Sequence, residues 1–186
     1  MRLRWRMTLA ALALLLLAAL LVVLRERGET ARVAERLAAG YLYPQPIESL
    51  RWFELVYPDK TLRVERVGEA PAWQLTAPVR DPGDSVVIGR LLATLASQKV
   101  ERWLPPATAA EAASYGLAAP RLTLRLGRAG GIDSLRFGDL NPVEKRLWVA
   151  VSWRDSLALV STLLRTHALK GRYELADKRP LGTQPR

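Results

Sequence analysis

The chain contains no cysteine and one histidine, His167, in 186 residues. Without cysteine there is no disulfide, no thiolate nucleophile, no thiolate metal site and no cysteine lipidation. This also fits an oxidising compartment. A lone histidine leaves the common zinc ligand sets and any Cys–His pair unfilled. A Ser-His-Asp triad would have to use His167, which falls on a helical pattern near the C-terminus, and no Gly-x-Ser-x-Gly elbow accompanies it. A phosphate-cradling glycine motif is missing too: the glycines at 127, 130 and 131 precede no helix and read as a hairpin. Asp81 and Asp84 lack the spacing and the distal glutamate of a calcium loop, so they read as turn and cap residues. We therefore assign no catalytic residue, no cofactor and no metal ligand. A carboxylate-dependent hydrolase would have to gather two acids, from Asp59, Asp81, Asp84, Asp133 and Asp139, within about 10 Å of each other in one pocket.

What the chain does have is a charge-free run over residues 7–24, from Met7 to Leu24, in which Thr8 is the one hydroxyl. Arg2, Arg4 and Arg6 precede it and Arg25 closes it. As a helix it would extend roughly 27 Å, close to the thickness of a bilayer's hydrocarbon. The run exceeds the usual length of a signal-peptide core, and no small-x-small cleavage site follows. The expectation is an uncleaved single-pass anchor in a bacterial inner (plasma) membrane, with Trp5 at the interface. Arginine counts on the two sides are balanced. A short arginine-rich tail resists translocation while long domains cross largely regardless of charge, which favours a cytoplasmic N-terminus and a periplasmic, extracytoplasmic C-terminal domain. The expected organisation is a tail (1–6), an anchor (7–24), a juxtamembrane helix and linker (25–46), an α+β domain (47–181) and a disordered end (182–186).

The net charge is +10; the first 29 residues hold five arginines and two glutamates, leaving +7 on the remainder. Such a domain could meet anionic lipid or another polyanion. The charges are scattered, however, and arginine far outnumbers lysine, so nucleic acid is not an expected partner.

Beyond the anchor, residues 29–39 have helical spacing between Gly28 and Gly40, and the prolines at 44 and 46 break regularity. The period then becomes two. Residues 50–57, 61–66 and 73–75 predict an antiparallel meander, with Leu62, Val64 and Arg66 sharing a face. The turn-rich segment 81–85 supplies the N-cap of a helix running through Lys99, with Val87, Ile88, Leu91, Leu92 and Leu95 on one side. Residues 100–104 read as a connection stopped by Pro105 and Pro106. A short helix over 107–114 ends at Gly116. Four strands follow, at 121–126, 132–137, 147–151 and 157–160, and one helix at 162–174. The fold class is α+β, helices on a largely antiparallel sheet.

Several residues in this order resemble a known pattern: Trp73-Gln-Leu75-Thr-Ala-Pro78, Asp84 with Val87, Leu91 and Leu92, Tyr115-Gly116-Leu117-Ala-Ala-Pro120, Phe137-Gly138, and Leu175-Ala-Asp177-Lys178-Arg179. They are similar to an uncharacterised envelope family, domain of unknown function 4340, in a single copy over residues 47–181. Ala118 stands where the family often has an acid, and Ala176 where it often has arginine. The resemblance implies a membrane-anchored accessory to an envelope or ABC-type transport complex, with an envelope or transporter protein as partner and the bilayer engaged through the N-terminal helix. It brings no catalytic residues. Exposed aromatics beside arginines are common at protein contacts and equally suit a membrane-facing rim, so Trp148 and Trp153 with Arg146 and Arg154 form the candidate interaction surface, against the plainer reading that the tryptophans simply pack. An anionic-lipid or polyanion binder is the alternative, and the hydrolase a further one.

Overall fold

The computed structural model describes residues 2–68 and 72–178 and divides into two compact units, parted between Ala39 and Gly40. The side chains of residues 2–11, 13 and 26 lie outside the description, as do Arg179 and the expected disordered end.

The first unit is one helix, α1 (Arg2–Ala38). Two helices parted at Gly28 were expected. A single interior glycine costs only about 1 kcal/mol relative to alanine, too little to end a helix with strong formers on both sides. Among the described residues no helix is long and apolar enough to cross a membrane, so a span over 7–24 is unsupported here.

The second unit is a nine-stranded antiparallel sheet. Its strands are β1 (Leu50–Val56), β2 (Thr61–Val67), β3 (Ala72–Ala77), β4 (Asp81–Pro82), β5 (Val100–Leu104), β6 (Leu122–Arg128), β7 (Gly131–Leu140), β8 (Leu147–Val151) and β9 (Leu157–Val160). They lie in the order β4-β3-β2-β1-β6-β7-β8-β9-β5. The meander β1–β3 and the β6–β7 hairpin, with its two-residue loop, follow the predicted alternation. In β6 the leucines at 122, 124 and 126 all turn to one buried face.

Residues 100–104 form an edge strand, β5, beside β9. Glu101 and Arg102 are both exposed across a bulge, which hides the alternation that would have marked it. At the other edge β4 is two residues long and carries Pro82, a position where a missing amide is tolerated. Both edges are covered by segments near the ends of the unit. Residues 40–42 pair with 98–100, with Leu42 N–H donating to the Gln98 carbonyl and Val100 N–H to that of Gly40, each at 2.8 Å. Residues 175–177 line β4: Asp84 N–H reaches the Leu175 carbonyl at 2.7 Å and Asp177 N–H that of Pro82 at 2.8 Å. Covering these stretches reduces the unpaired backbone that invites aggregation. It also makes 41–43 part of the domain, because Leu42 and Tyr43 are fully buried.

The helices α2 (Ser85–Ser97), α4 (Leu163–Ala168) and α5 (Arg172–Leu175) contribute to the main core on the leucine face. Asp84 starts α2 as expected, its carboxylate accepting the amides of Val86 and Val87 at 2.9 and 3.1 Å. The single helix expected over 162–174 is two. Leu169 leaves helical geometry (ψ 76°), and Gly171 opens a new turn with its amide held by Glu174 at 2.8 Å. On the opposite face α3 (Ala109–Ser114) takes part in a smaller cluster with Leu117, Ala150 and Leu157. Thr108 and Glu111 cap it reciprocally, and Gly116 follows with φ +70°.

Candidate functional site

The polar half of the β2, β1 and β6 alternation builds a charged face opposite the leucines. In register, Glu54 of β1 stands between Arg63 of β2 and Arg125 of β6. Its carboxylate takes Arg63 Nη1 at 2.7 Å and Arg125 Nη1 at 3.1 Å. Glu54 itself is buried, which is tolerable only because two cations compensate it. Arg63 Nε also donates to Glu65. That hydrogen bond, and less strongly the one to Glu54, raises the guanidinium above its ordinary value, so Arg63 stays charged.

Beside this cluster Trp52 lies against β6. A Cβ on Gly127 would come within 1.9 Å of its indole, so the ring rests where only a glycine leaves room. The Arg63 guanidinium sits 4.2 Å from the Trp52 ring centroid, a cation–π contact that fixes both groups. Arg136 of β7 extends the face toward β8; it is exposed and has no ion-pair partner among the described residues. Arg136 also lines a small cavity of about 120 Å³ with Arg154, Asp155 and Ser156. The arrangement presents one flat aromatic ring and three guanidiniums on a rigid sheet, suited to contact and to anion recognition. Its sequence signal was one arginine at a polar position of each of β2 and β6, beside a lone glutamate in β1.

The four residues expected to form the interaction surface are spread over different environments. Trp148 is 7% exposed and stacks on Tyr115 (centroids 4.3 Å apart, planes at 25°), on the α3 side of β8. Trp153 is half-buried against the main core, edge-on to Tyr43 at 5.5 Å. Arg146 pairs with Glu101 at 2.5 Å, and Arg154 lies over the Trp103 ring at 4.5 Å. Each aromatic is committed to an intramolecular contact.

The acids are likewise dispersed. Asp81 binds Arg172 at 2.6 Å, Asp84 caps α2, Asp139 faces Arg121 at 3.4 Å, and Asp59 is 3.8 Å from Lys60. Asp133 points to the leucine face of β7 while Ile132 points out, 53% exposed. It is held by Arg128 Nε at 2.9 Å and by the Tyr43 hydroxyl, which donates to it at 3.2 Å. Burial, and then the charge of Asp133, pushes the Tyr43 hydroxyl well above the usual tyrosine range. Among the described residues no group of three or more histidine, aspartate or glutamate side chains could hold a metal ion. His167 Nδ1 lies 2.7 Å from the Thr94 hydroxyl, joining α4 to α2.

The residues that carried the family resemblance meet in two places, both architectural. Gly83 N–H donates to the Trp73 carbonyl at 2.8 Å, and a Cβ there would be 2.6 Å from that oxygen; the 175–177 segment closes over the same turn. At the other end of the unit's sequence pattern, Asp139 N–H donates to the Tyr115 carbonyl at 2.7 Å, and a Cβ on Gly138 would come within 2.2 Å of it. The family model described as Domain of unknown function (DUF4340) matches residues 73–186, starting at Trp73 of β3, in a single copy. No curated protein and no solved structure matches the chain.

Proposed function

The chain belongs to the DUF4340 family, and on that premise we propose that it is a membrane-tethered, extracytoplasmic interaction domain, an auxiliary part of an envelope or ABC-type transport complex. The observation that carries this reading is the face built by Trp52, Arg63, Arg125 and Arg136. Tryptophan and arginine are the residues that dominate protein contacts. Here Glu54 and Gly127 hold them in place in advance, which lowers the ordering cost of association. What supports the tether is the arginine-flanked, charge-free run itself, together with ten leucine and valine side chains exposed between Leu12 and Leu24. A contiguous apolar surface of that kind marks a membrane or partner contact.

Two experiments test the proposal. Extraction of the intact chain in a mild detergent should recover a partner, and Arg125→Ala with Trp52→Ala should reduce that recovery at least tenfold. Recovery of the chain alone from every native preparation defeats the reading. Because the chain has no cysteine, Lys60→Cys provides a unique probe at an exposed turn. A membrane-impermeant maleimide should label it in intact spheroplasts, and labelling only after lysis overturns the orientation.

A further inference from the structure

A groove of about 660 Å³ lies between the β7–β8 loop and α4, away from the Trp52 face. That volume falls within the roughly 300–1,000 Å³ of small-molecule sites. Leu140, Pro142 and Leu169 give it an apolar wall, and Lys145 and Arg165 supply its charge. No carboxylate lines it. Neither cation has an ion-pair partner among the described residues, although eleven pairs engage charges elsewhere in the chain. Glu144, the acid next to Lys145, is drawn away to Arg102 at 2.9 Å.

The loop fixes the backbone of Lys145. That backbone is left-handed (φ 52°), an unfavourable setting for a side chain with a Cβ. The surrounding bonds impose it: Lys145 N–H donates to the Asn141 carbonyl at 2.9 Å, and Asn141 Oδ1 accepts the amides of Val143 and Glu144 at 2.9 and 3.1 Å. A cation on the loop, a second on the helix and apolar side chains contributed by both complement a particular kind of molecule. We propose that this groove binds an anionic amphiphile, a single phosphate or carboxylate head on an aliphatic chain, with Lys145 and Arg165 on the head and Leu140, Pro142 and Leu169 along the chain. The inference is independent of the Trp52 face and of the orientation of the tether.

The test uses the full chain in nanodiscs of zwitterionic phosphatidylcholine, with leucine methyl groups isotope-labelled for NMR. Decyl phosphate and decanoate are titrated in, with decanol and inorganic phosphate as controls. The expected result is saturable shifts of the Leu140 and Leu169 methyls with both anionic amphiphiles, and binding of each control at least tenfold weaker. Preference for decyl phosphate assigns a phospholipid-type head, and preference for decanoate a fatty-acid type. Lys145→Met with Arg165→Gln should weaken binding at least tenfold, while Lys145→Arg with Arg165→Lys should retain it. Equal binding of decanol, equal binding of inorganic phosphate, shifts confined to other leucines, or an unaffected neutralised variant each overturns the proposal.

Discussion

The two faces of the sheet use the same strands for opposite ends. On one face β1, β2 and β6 set Phe53, Leu55, Leu62, Val64, Leu124 and Leu126 into a core where each is at most 1% exposed. On the other, the alternating residues Trp52, Glu54, Arg63 and Arg125 form a charged network that keeps partial access to solvent. The leucine face gains from removing apolar area from water, about 25 cal/mol per Å², and tolerates no loss of volume. The charged face gains little from its ion pairs, because the cost of burying the Glu54 carboxylate offsets much of its attraction to the two guanidiniums. What it gains is order, with each guanidinium fixed by a carboxylate or an indole. One face holds the fold, and the other is free to be spent on recognition.

Adjacent substitutions in β1 should separate the faces most sharply. Phe53→Ala should cost about 3–5 kcal/mol in chemical denaturation, and Trp52→Ala about 1 kcal/mol. Equal losses would mean the second face is also core. Next come the two crowded glycines. Gly138→Ala meets the Tyr115 carbonyl, which belongs to backbone, and should cost about 2–3 kcal/mol. Gly127→Ala meets the Trp52 ring, which can swing away, and should cost only about 1 kcal/mol while making tryptophan fluorescence more quenchable by iodide.

Tyr43 gives a pH-dependent comparison at the end of the leucine face. Burial and Asp133 raise its folded value, whereas the unfolded chain starts to release this proton near pH 10. The folded state therefore holds the proton longer, so stability is complete below about pH 10 and falls as pH rises further. Tyr43→Phe should cost about 1 kcal/mol at neutral pH and flatten that alkaline decline. Tyr57, also raised by burial, leaves a remainder. An unchanged slope would show that the hydroxyl ionises equally in both states. Glu54→Gln should have the smallest effect on stability, below about 1 kcal/mol, since Arg63 and Arg125 can turn to water. A larger loss would make the charged face structural.

How much of this was legible in the sequence depends on whether a signal was local. The leucine alternation of β6, the Asp84 cap and the 129–130 hairpin loop are written in neighbouring residues, and each formed as expected. Strand β5 was invisible because Glu101 and Arg102 suit an edge, where only one side needs a partner. The break between α4 and α5 rests on Gly171, whose cap comes from Glu174, and a helical period reads straight through it. For the candidate site, Arg63 and Arg125 were visible at polar positions of β2 and β6, but their convergence on Glu54 depends on β1 lying between them, which is a matter of topology. Trp148 and Trp153 looked equivalent in sequence, yet they fall on opposite sides of the sheet because one belongs to β8 and the other to the turn after it.

The segment 175–177, which seals β4, lies more than ninety residues beyond the strand it covers, Ala176 pairing with Gly83. The seal cannot form until the ribosome, or any channel that threads the chain across a membrane, has released every strand that lies between the two. Until then the turn at Gly83 lacks its lid and one margin of the sheet stays unfinished. Maturation is thereby timed to the delivery of residues 175–177, and a product stopped short of them would carry a raw border that quality-control proteases can find.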